Sequence, residues 1–338
     1  MNKKESKYQN YFLVREMLEV KAVLAAMAPL QIFDFVKHIK HKRVLLTGEG
    51  SSRIFPAKKV IYDARHHDYK ESIITEGASQ SAEYDLDDHT VFIASNSGRT
   101  KESVKLLETL KKRNHKNIMA IVAHKDSVLM NGADYTYLLR SGHENAVAAT
   151  KTVIEQALFY DILFRKSNLK DLPDLNETGV LIDQVLKQKI PETIVNQLVA
   201  SDMIYFSGRN NGVSEELALK ANEIVGKKSD YLEGTYAVHG IEEVMSKNEV
   251  IILIDPFPEQ EAKIQKTLVE TIGVIVIAIS TRKTSFPTLQ IPDLGEFNPY
   301  LQLAMGWNLL IETALELKMD LDHPKRARKV GNEYEQPV

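Results

Sequence analysis

Short runs rich in Val, Ile and Leu mark the first half of the chain at residues 43–47, 90–95, 118–123 and 135–139. They lie between helical patterns, and runs this short and this uniformly apolar predict parallel strands buried on both faces. A second series at 203–207, 250–255, 274–279 and 288–291 repeats the arrangement. Gly48 and Gly208 follow the first strand of each series, and Ser95 and Asp255 close the second. Both landmarks recur about 160 residues apart, a domain-sized period that points to duplication rather than to a solenoid of short repeats. Each half is therefore expected to be a doubly wound, mainly parallel sheet flanked by helices, a three-layer α/β unit. A helix over 11–27 leads the chain, and an amphipathic helix over 101–112 follows the second strand of the first half. The expected division is a helical segment at 1–30, a first domain at 31–167, a linker at 168–192, a second domain at 193–318 and a tail at 319–338. The linker holds the turn signature Asp171-Leu172-Pro173-Asp174 ahead of a mostly polar helix. The tail has little apolar periodicity and is either loose or laid over a surface it covers.

Composition narrows the classes. A length of 338 residues suits two domains. The formal net charge of −3 gives no reason to expect a nucleic acid or an anionic membrane as partner, so an anionic ligand would need a local site. The absence of cysteine removes disulfides, thiolate metal sites and cysteine nucleophiles together. Residues 1–10 are polar and lack a signal-peptide core, and the longest apolar runs, 250–254 and 274–279, are too short to span a membrane. A soluble, cytoplasmic protein is expected. The histidines show neither His-x-x-x-His nor His-x-His spacing, so no metal and no other cofactor is expected.

Two loops sit where strands of the first half end, the place at which open α/β sheets bind ligands. One is Thr47-Gly48-Glu49-Gly50-Ser51-Ser52 and the other is Ser95-Asn96-Ser97-Gly98-Arg99-Thr100, just before the 101–112 helix. Hydroxyls, glycine and a helix start together favour an anion such as a phosphate monoester. Neither loop has the Gly-x-x-x-x-Gly-Lys-Ser/Thr pattern of a nucleotide P-loop. Taken singly, Ser97 and Thr100 serve equally well as turn and cap residues; two such loops on one sheet favour anion binding.

The run Phe92-Ile93-Ala94-Ser95-Asn96-Ser97-Gly98-Arg99-Thr100 resembles the Ser-Gln-Ser-Gly-Glu-Thr phosphate loop of the sugar isomerase (SIS) family. The similarity is to the isomerase half of glucosamine-6-phosphate synthases and to stand-alone phosphosugar isomerases, deaminases and deglycases. Gly50-Ser51-Ser52 resembles the family's Gly-Thr-Ser loop. Val147-Ala148-Ala149-Thr150-Lys151 resembles its Val-Ala-Ser-Thr-Lys segment, which lines the sugar. Glu215 to Glu223 resembles its Leu-Glu-Gly-Ala-Leu-Lys-Leu-Lys-Glu helix, and His239-Gly240 its His-Gly pair. Asp320-Leu321-Asp322-His323-Pro324 with Lys329 resembles its C-terminal tail.

The resemblance implies two tandem SIS domains and a sugar phosphate as ligand. It implies that Ser51, Ser52, Ser95, Asn96, Ser97 and Thr100 hold the phosphate, while Val147, Ala149 and Lys220 contact the sugar. Glu223 would be the base that carries a proton between two carbons, His239 would open the ring, and Lys329 would attack or position the open-chain carbonyl. Such chemistry suits an imidazole that titrates near neutrality. Judged alone, Glu223 could equally form an i,i+3 surface pair with Lys220, and His239 could be a capping or core residue. Lys329 stands in the basic run 325–329, which alone reads as a solvated surface.

Asn96 replaces the family's glutamine, Ala149 removes a hydroxyl, and Arg99 stands where glutamate is common. If Arg99 faces the pocket it could pair with a carboxylate. Asp255-Pro256-Phe257-Pro258-Glu259 replaces the serine-rich loop in the second half, so only the first half is expected to carry phosphate. The family's histidine reaches the partner's site, which implies a homodimer with shared sites.

An aldose–ketose phosphosugar isomerase is the leading expectation. A fructosamine-6-phosphate deglycase or amino-sugar-6-phosphate deaminase is the nearest rival, and a non-catalytic sugar-phosphate sensor is the rival of another class. Residues 1–30 are too short for a helix-turn-helix domain. With no spare N-terminal domain and no cysteine to release ammonia, a glutamine-dependent synthase is not expected.

Overall fold

The computed structural model describes residues 1–2 and 4–328. The chain forms two compact units, each with one five-stranded parallel sheet. The first-sheet unit comprises Ala22–Asn145 and Ala149–Asn176; the second-sheet unit comprises Met1–Lys21, Ala146–Ala148 and Glu177–Ala327. The leading segment expected at 1–30 is thus shared out, its first 21 residues belonging with the second sheet.

The first sheet holds β1 (Arg43–Gly48), β2 (Ser72–Gly77), β3 (His89–Ser95), β4 (Ile118–Val122) and β5 (Tyr135–Leu138) in the order β2-β1-β3-β4-β5. The second holds β6 (Met203–Gly208), β7 (Lys228–Glu233), β8 (Glu249–Ile254), β9 (Ile275–Ser280) and β10 (Thr288–Gln290) in the order β7-β6-β8-β9-β10. The two orders are the same, and every pairing is parallel. All eight predicted strands are present within a residue or so of their expected ends. The two the pattern does not reveal, β2 and β7, are the edge strands beside β1 and β6. Each is only partly buried, and β7 reads Lys-Ser-Asp-Tyr-Leu-Glu, because an edge strand with one wet flank needs no apolar run.

The strand period of two assigns the two faces of β3. Val91 and Ile93 join Val104, Leu107 and Leu110 of the helix Lys101–Lys112 in one buried cluster. Phe92 points the other way, within 6.4 Å (centroid to centroid) of Phe159, Tyr160 and Phe164 on the buried helix Lys151–Ser167. In the second unit, Tyr205, Ile251, Leu253 and Val276 pack on one face of the sheet with Ile264 and Leu268. The helix Asn298–Glu316, with Trp307 and Tyr300 fully buried, packs on the helix Val213–Lys220. Among the described residues, no helix is long and apolar enough to cross a membrane.

In both sheets the chain reverses its direction of growth between the first strand and its inner neighbour, β1/β3 and β6/β8. That is the switch point where an open parallel sheet leaves a crevice at its carboxyl edge. A glycine stands at each. A Cβ on Gly48 would lie 2.6 Å from the Ala94 carbonyl oxygen of β3, and one on Gly208 would lie 3.1 Å from the Ile254 carbonyl oxygen of β8. Close approach of the neighbouring strand's backbone explains Gly48, while at Gly208 the Ser214 hydroxyl, 2.7 Å from such a Cβ, adds to it.

Candidate active site

At the first switch point the loops after β1 and β3 face one another across the crevice. Gly50–Ser52 makes a single 3-10 turn that leads into the helix Ile54–His66, with Ser51 nearly buried and Ser52 partly so. Glu49 turns away to accept the Ala78 N–H at 2.9 Å. Burial pushes its carboxyl above the ordinary value, which lessens its repulsion of any anion held at the loop.

In the second loop Ser95 Oγ lies 2.8 Å from Thr100 Oγ1 and accepts the Gly98 N–H at 3.0 Å, while Ser97 Oγ accepts the Arg99 N–H at 3.1 Å. Ser97 does serve the turn. Thr100 occupies the N-cap position of the helix Lys101–Lys112 but makes no side-chain cap bond, so no hydroxyl masks the first turn of that helix. Gly98 has φ +62°, and a Cβ there would come 2.2 Å from Ser127 Oγ; the loop is seated on the chain after β4.

Glu144 was invisible to the motif comparison and organises this side of the sheet. It is fully buried. Its Oε1 accepts the Thr150 and Lys151 N–H groups at 2.7 and 2.9 Å, and its Oε2 accepts Thr152 Oγ1 at 2.5 Å and Asn96 Nδ2 at 3.1 Å. One carboxylate thus caps the helix Lys151–Ser167 and fixes the amide of the phosphate-like loop. The amide at 96 faces Glu144, and Ala149 lies just before the capped turn. Its only sequence signal is an acid a few residues ahead of a helix start.

In the second-sheet unit the helix Val213–Lys220 runs into a π-helical turn, Ala221–Val225, closed by the Gly226 N–H donating to Ala221 O at 3.1 Å. Such an added residue is frequent at functional sites. Lys220 Nζ lies 2.8 Å from Glu223 Oε2 and 3.4 Å from Glu216 Oε1. The side chains of Lys220 and Glu216 are 0% exposed, while that of Glu223 is 20% exposed. The pair is therefore no solvated surface pair. A buried ammonium backs a carboxylate whose outer edge is open. His239 is exposed and not a core histidine; it holds the C-cap position of the short turn Tyr236–Val238, its backbone N–H donating to Tyr236 O at 3.0 Å.

The crevice between β6 and β8 is occupied by the protein itself. Arg209 Nη1 donates to Asp255 Oδ2 at 2.8 Å, and its guanidinium lies 4.3 Å over the Phe257 ring.

Lys329 lies outside the described residues. The chain before it is anchored: Asp322 is buried, and its carboxylate accepts the N–H groups of Phe12 and Leu13 at 2.9 and 2.8 Å. It thereby caps the helix Phe12–Ala26 from a distance in sequence. Asp322 O also accepts the Val147 N–H at 3.2 Å. Asp322→Ala is expected to lower stability by about 1–2 kcal/mol, read by denaturant unfolding. An unchanged midpoint would show that the cap contributes nothing.

A parallel α/β protein with a hydroxyl-lined loop pair at its switch point and a buried cation behind an open carboxylate is the class these features define. The SIS domain model matches residues 38–166, the part that holds the first sheet, and this part of the chain is similar to SIS-domain proteins. A glutamine–fructose-6-phosphate aminotransferase of Methanocaldococcus jannaschii is 28% identical over 341 residues, covering 94% of this chain but only 31% of that protein. Among solved structures, the tagatose-6-phosphate ketose/aldose isomerase of Escherichia coli aligns with a TM-score of 0.78 at 15% identity over 96% of this chain and 98% of that one. The glucosamine-6-phosphate deaminase of Thermotoga maritima aligns with a TM-score of 0.74 at 20% identity over 96% and 99%. At these identities the structural likeness establishes the fold.

Proposed function

We propose that the chain is a cytoplasmic, cofactor-free enzyme that interconverts an aldose and a ketose phosphate, or the corresponding amino-sugar phosphate, through an enediol. The observation that carries this reading is the row Glu216–Lys220–Glu223, a partly open carboxylate on a π-helical turn paired with a buried ammonium. In this reading Ser51, Ser52, Ser95, Asn96, Ser97 and Thr100 grip the phosphate, and Val147 and Ala149 line the sugar. His239 moves the hydroxyl proton to the ring oxygen, which opens the ring and frees the carbonyl. Glu223 then takes the proton from C2 of the aldose, the O2 proton passes to O1, and Glu223 returns its proton to C1. Lys220 offsets the charge of the enediolate, and Lys329 positions the carbonyl.

The identical strand orders support a second SIS domain in residues 193–318. The Arg209–Asp255 pair supports a phosphate site in the first domain alone. The family resemblance supports a homodimer in which His239 serves the partner subunit's site. A likeness to both an isomerase and a deaminase supports C–N cleavage by the same enolisation as the second reading.

A panel of hexose 6-phosphates, amino-sugar 6-phosphates and fructosamine 6-phosphates tests the choice. Isomerisation predicts a changed ketose:aldose ratio with no ammonia or amino acid released. Release of either replaces it by C–N cleavage, and binding without turnover leaves a sensor. Inorganic phosphate should raise the melting temperature, and Ser97→Ala with Thr100→Ala should abolish that rise. Equal protection of the double variant would remove the loop from the site.

A further inference from the structure

Beside the phosphate-like loop lies an open depression of about 250 Å³ lined by Arg99, Ala123, His124, Lys125, Asp126 and His143. Three neighbouring strand ends build it: Arg99 follows β3, residues 123–126 follow β4, and His143 follows β5. It shares the carboxyl rim of the first sheet with the loop and is tied to it. The Ala123 N–H donates to Asn96 O at 3.0 Å and the Leu129 N–H to Gly98 O at 3.1 Å, while Glu144, next to His143, holds the Asn96 amide.

The lining is mainly cationic: Arg99 and Lys125 outnumber its one carboxylate, that of Asp126. Arg99 Nη2 donates to the Asp126 backbone carbonyl at 2.9 Å rather than to a carboxylate. Among the described residues neither Arg99 nor Lys125 forms an ion pair. His143 Nδ1 and His124 Nε2 are 3.1 Å apart, within hydrogen-bond distance, which holds two imidazoles against each other on the wall. A planar guanidinium, an ammonium and an imidazole pair around a space large enough for a carboxylate with several carbons form a receptor for an anion.

We propose that this depression is a second anion subsite, and that the ligand whose phosphate occupies the Ser95–Thr100 loop carries a second anionic group bound by Arg99, Lys125 and His143. Arg99 joins the two, its backbone in the loop and its side chain in the depression. The proposal rests on the reading of that loop as the phosphate site and specifies the substrate class: a sugar phosphate bearing a carboxylate or a further phosphate.

The test is calorimetric, on the full chain, with three probes: fructose 6-phosphate, fructose 1,6-bisphosphate and the conjugate of fructose 6-phosphate with glycine through its amino group. At least one bis-anion is expected to bind about tenfold tighter than fructose 6-phosphate, an advantage that shrinks at high salt. Which of the two does so identifies the second group as phosphate or carboxylate. In Arg99→Gln, and in Lys125→Gln with His143→Gln, the affinity ratio should fall to about one by loss of the charged contacts. These side chains are exposed, and an unchanged melting temperature without ligand checks that the variants fold. Bis-anions that bind no tighter than fructose 6-phosphate, or a ratio that survives both variants, overturn the subsite and leave the phosphate loop standing. Failure of all three probes to bind the wild type overturns both.

Discussion

Glu223→Gln should lower turnover of the productive sugar phosphate by about 10²–10⁴-fold, leave its apparent affinity within a few-fold, and abolish exchange of solvent deuterium into C2. The substitution keeps the shape of the side chain and removes only its capacity to take a proton. Lys220 Nζ retains Glu216 Oε1 at 3.4 Å when the 2.8 Å partner at Glu223 is neutralised, so the buried ammonium is not abandoned and the fold should hold. Lys220→Met makes the contrast. It leaves Glu216, fully buried, without its cation, and loss of one member of a buried pair costs about 3–5 kcal/mol. Activity should then fall together with stability. A Glu223→Gln enzyme with intact turnover and intact C2 exchange would remove Glu223 as the base. Equal loss of stability in both variants would show that the row is structural.

What the sequence revealed here was the order of the motif, not its setting. A helix reading Glu-Glu-Leu-Ala-Leu-Lys-Ala-Asn-Glu offers three carboxylates and a lysine. Nothing local says that Glu216 and Lys220 are buried while Glu223 stays open; the helix that carries them packs on the helix Asn298–Glu316, some 90 residues away in sequence. The six inner strands, β1, β3, β4, β6, β8 and β9, were legible for the opposite reason. A strand buried on both faces must be apolar throughout, so its position shows in the residues themselves. Edge strands escape that requirement, which hides β2 and β7; β5 and β10, also at edges, are likewise only partly buried. Glu144 was hidden because one of its partners, Asn96, stands 48 residues earlier in another loop, and Asp322 because the helix it caps begins some 310 residues earlier. The glycines 48, 98 and 208 could be noticed in the sequence, but the carbonyl and hydroxyl atoms that exclude a side chain there belong to other strands and loops.

Lys59→Met should cost about 3–5 kcal/mol of stability, the largest effect expected of any single substitution remote from the chemistry. Lys59 Nζ lies 2.7 Å from Asp63 Oδ2 and 2.6 Å from Asp161 Oδ2, and Arg165 Nη2 lies 3.0 Å from Asp63 Oδ2. None of the four side chains is more than 5% exposed. Two acids and two bases balance, so the cluster tolerates burial only as a whole. Removing the lysine takes from buried Asp161 its cation at 2.6 Å, whereas Lys59→Met with Asp161→Leu removes a neutral pair and leaves Asp63 with Arg165. The double variant should therefore recover most of the loss. Because the chain has two units and need not unfold in one step, the change is best read from hydrogen exchange of the helices Ile54–His66 and Lys151–Ser167 alongside the melting temperature. The network also bears on the site. It joins one helix that starts directly after Ser51 and Ser52 to another that starts directly after Thr150, and so fixes the spacing of two loops assigned to the ligand. Lys59→Met should for that reason weaken phosphate protection as well as stability, and the double variant should restore both. A single variant as stable as the wild type, or a double variant no better than the single, would show that the charges do not act as a unit.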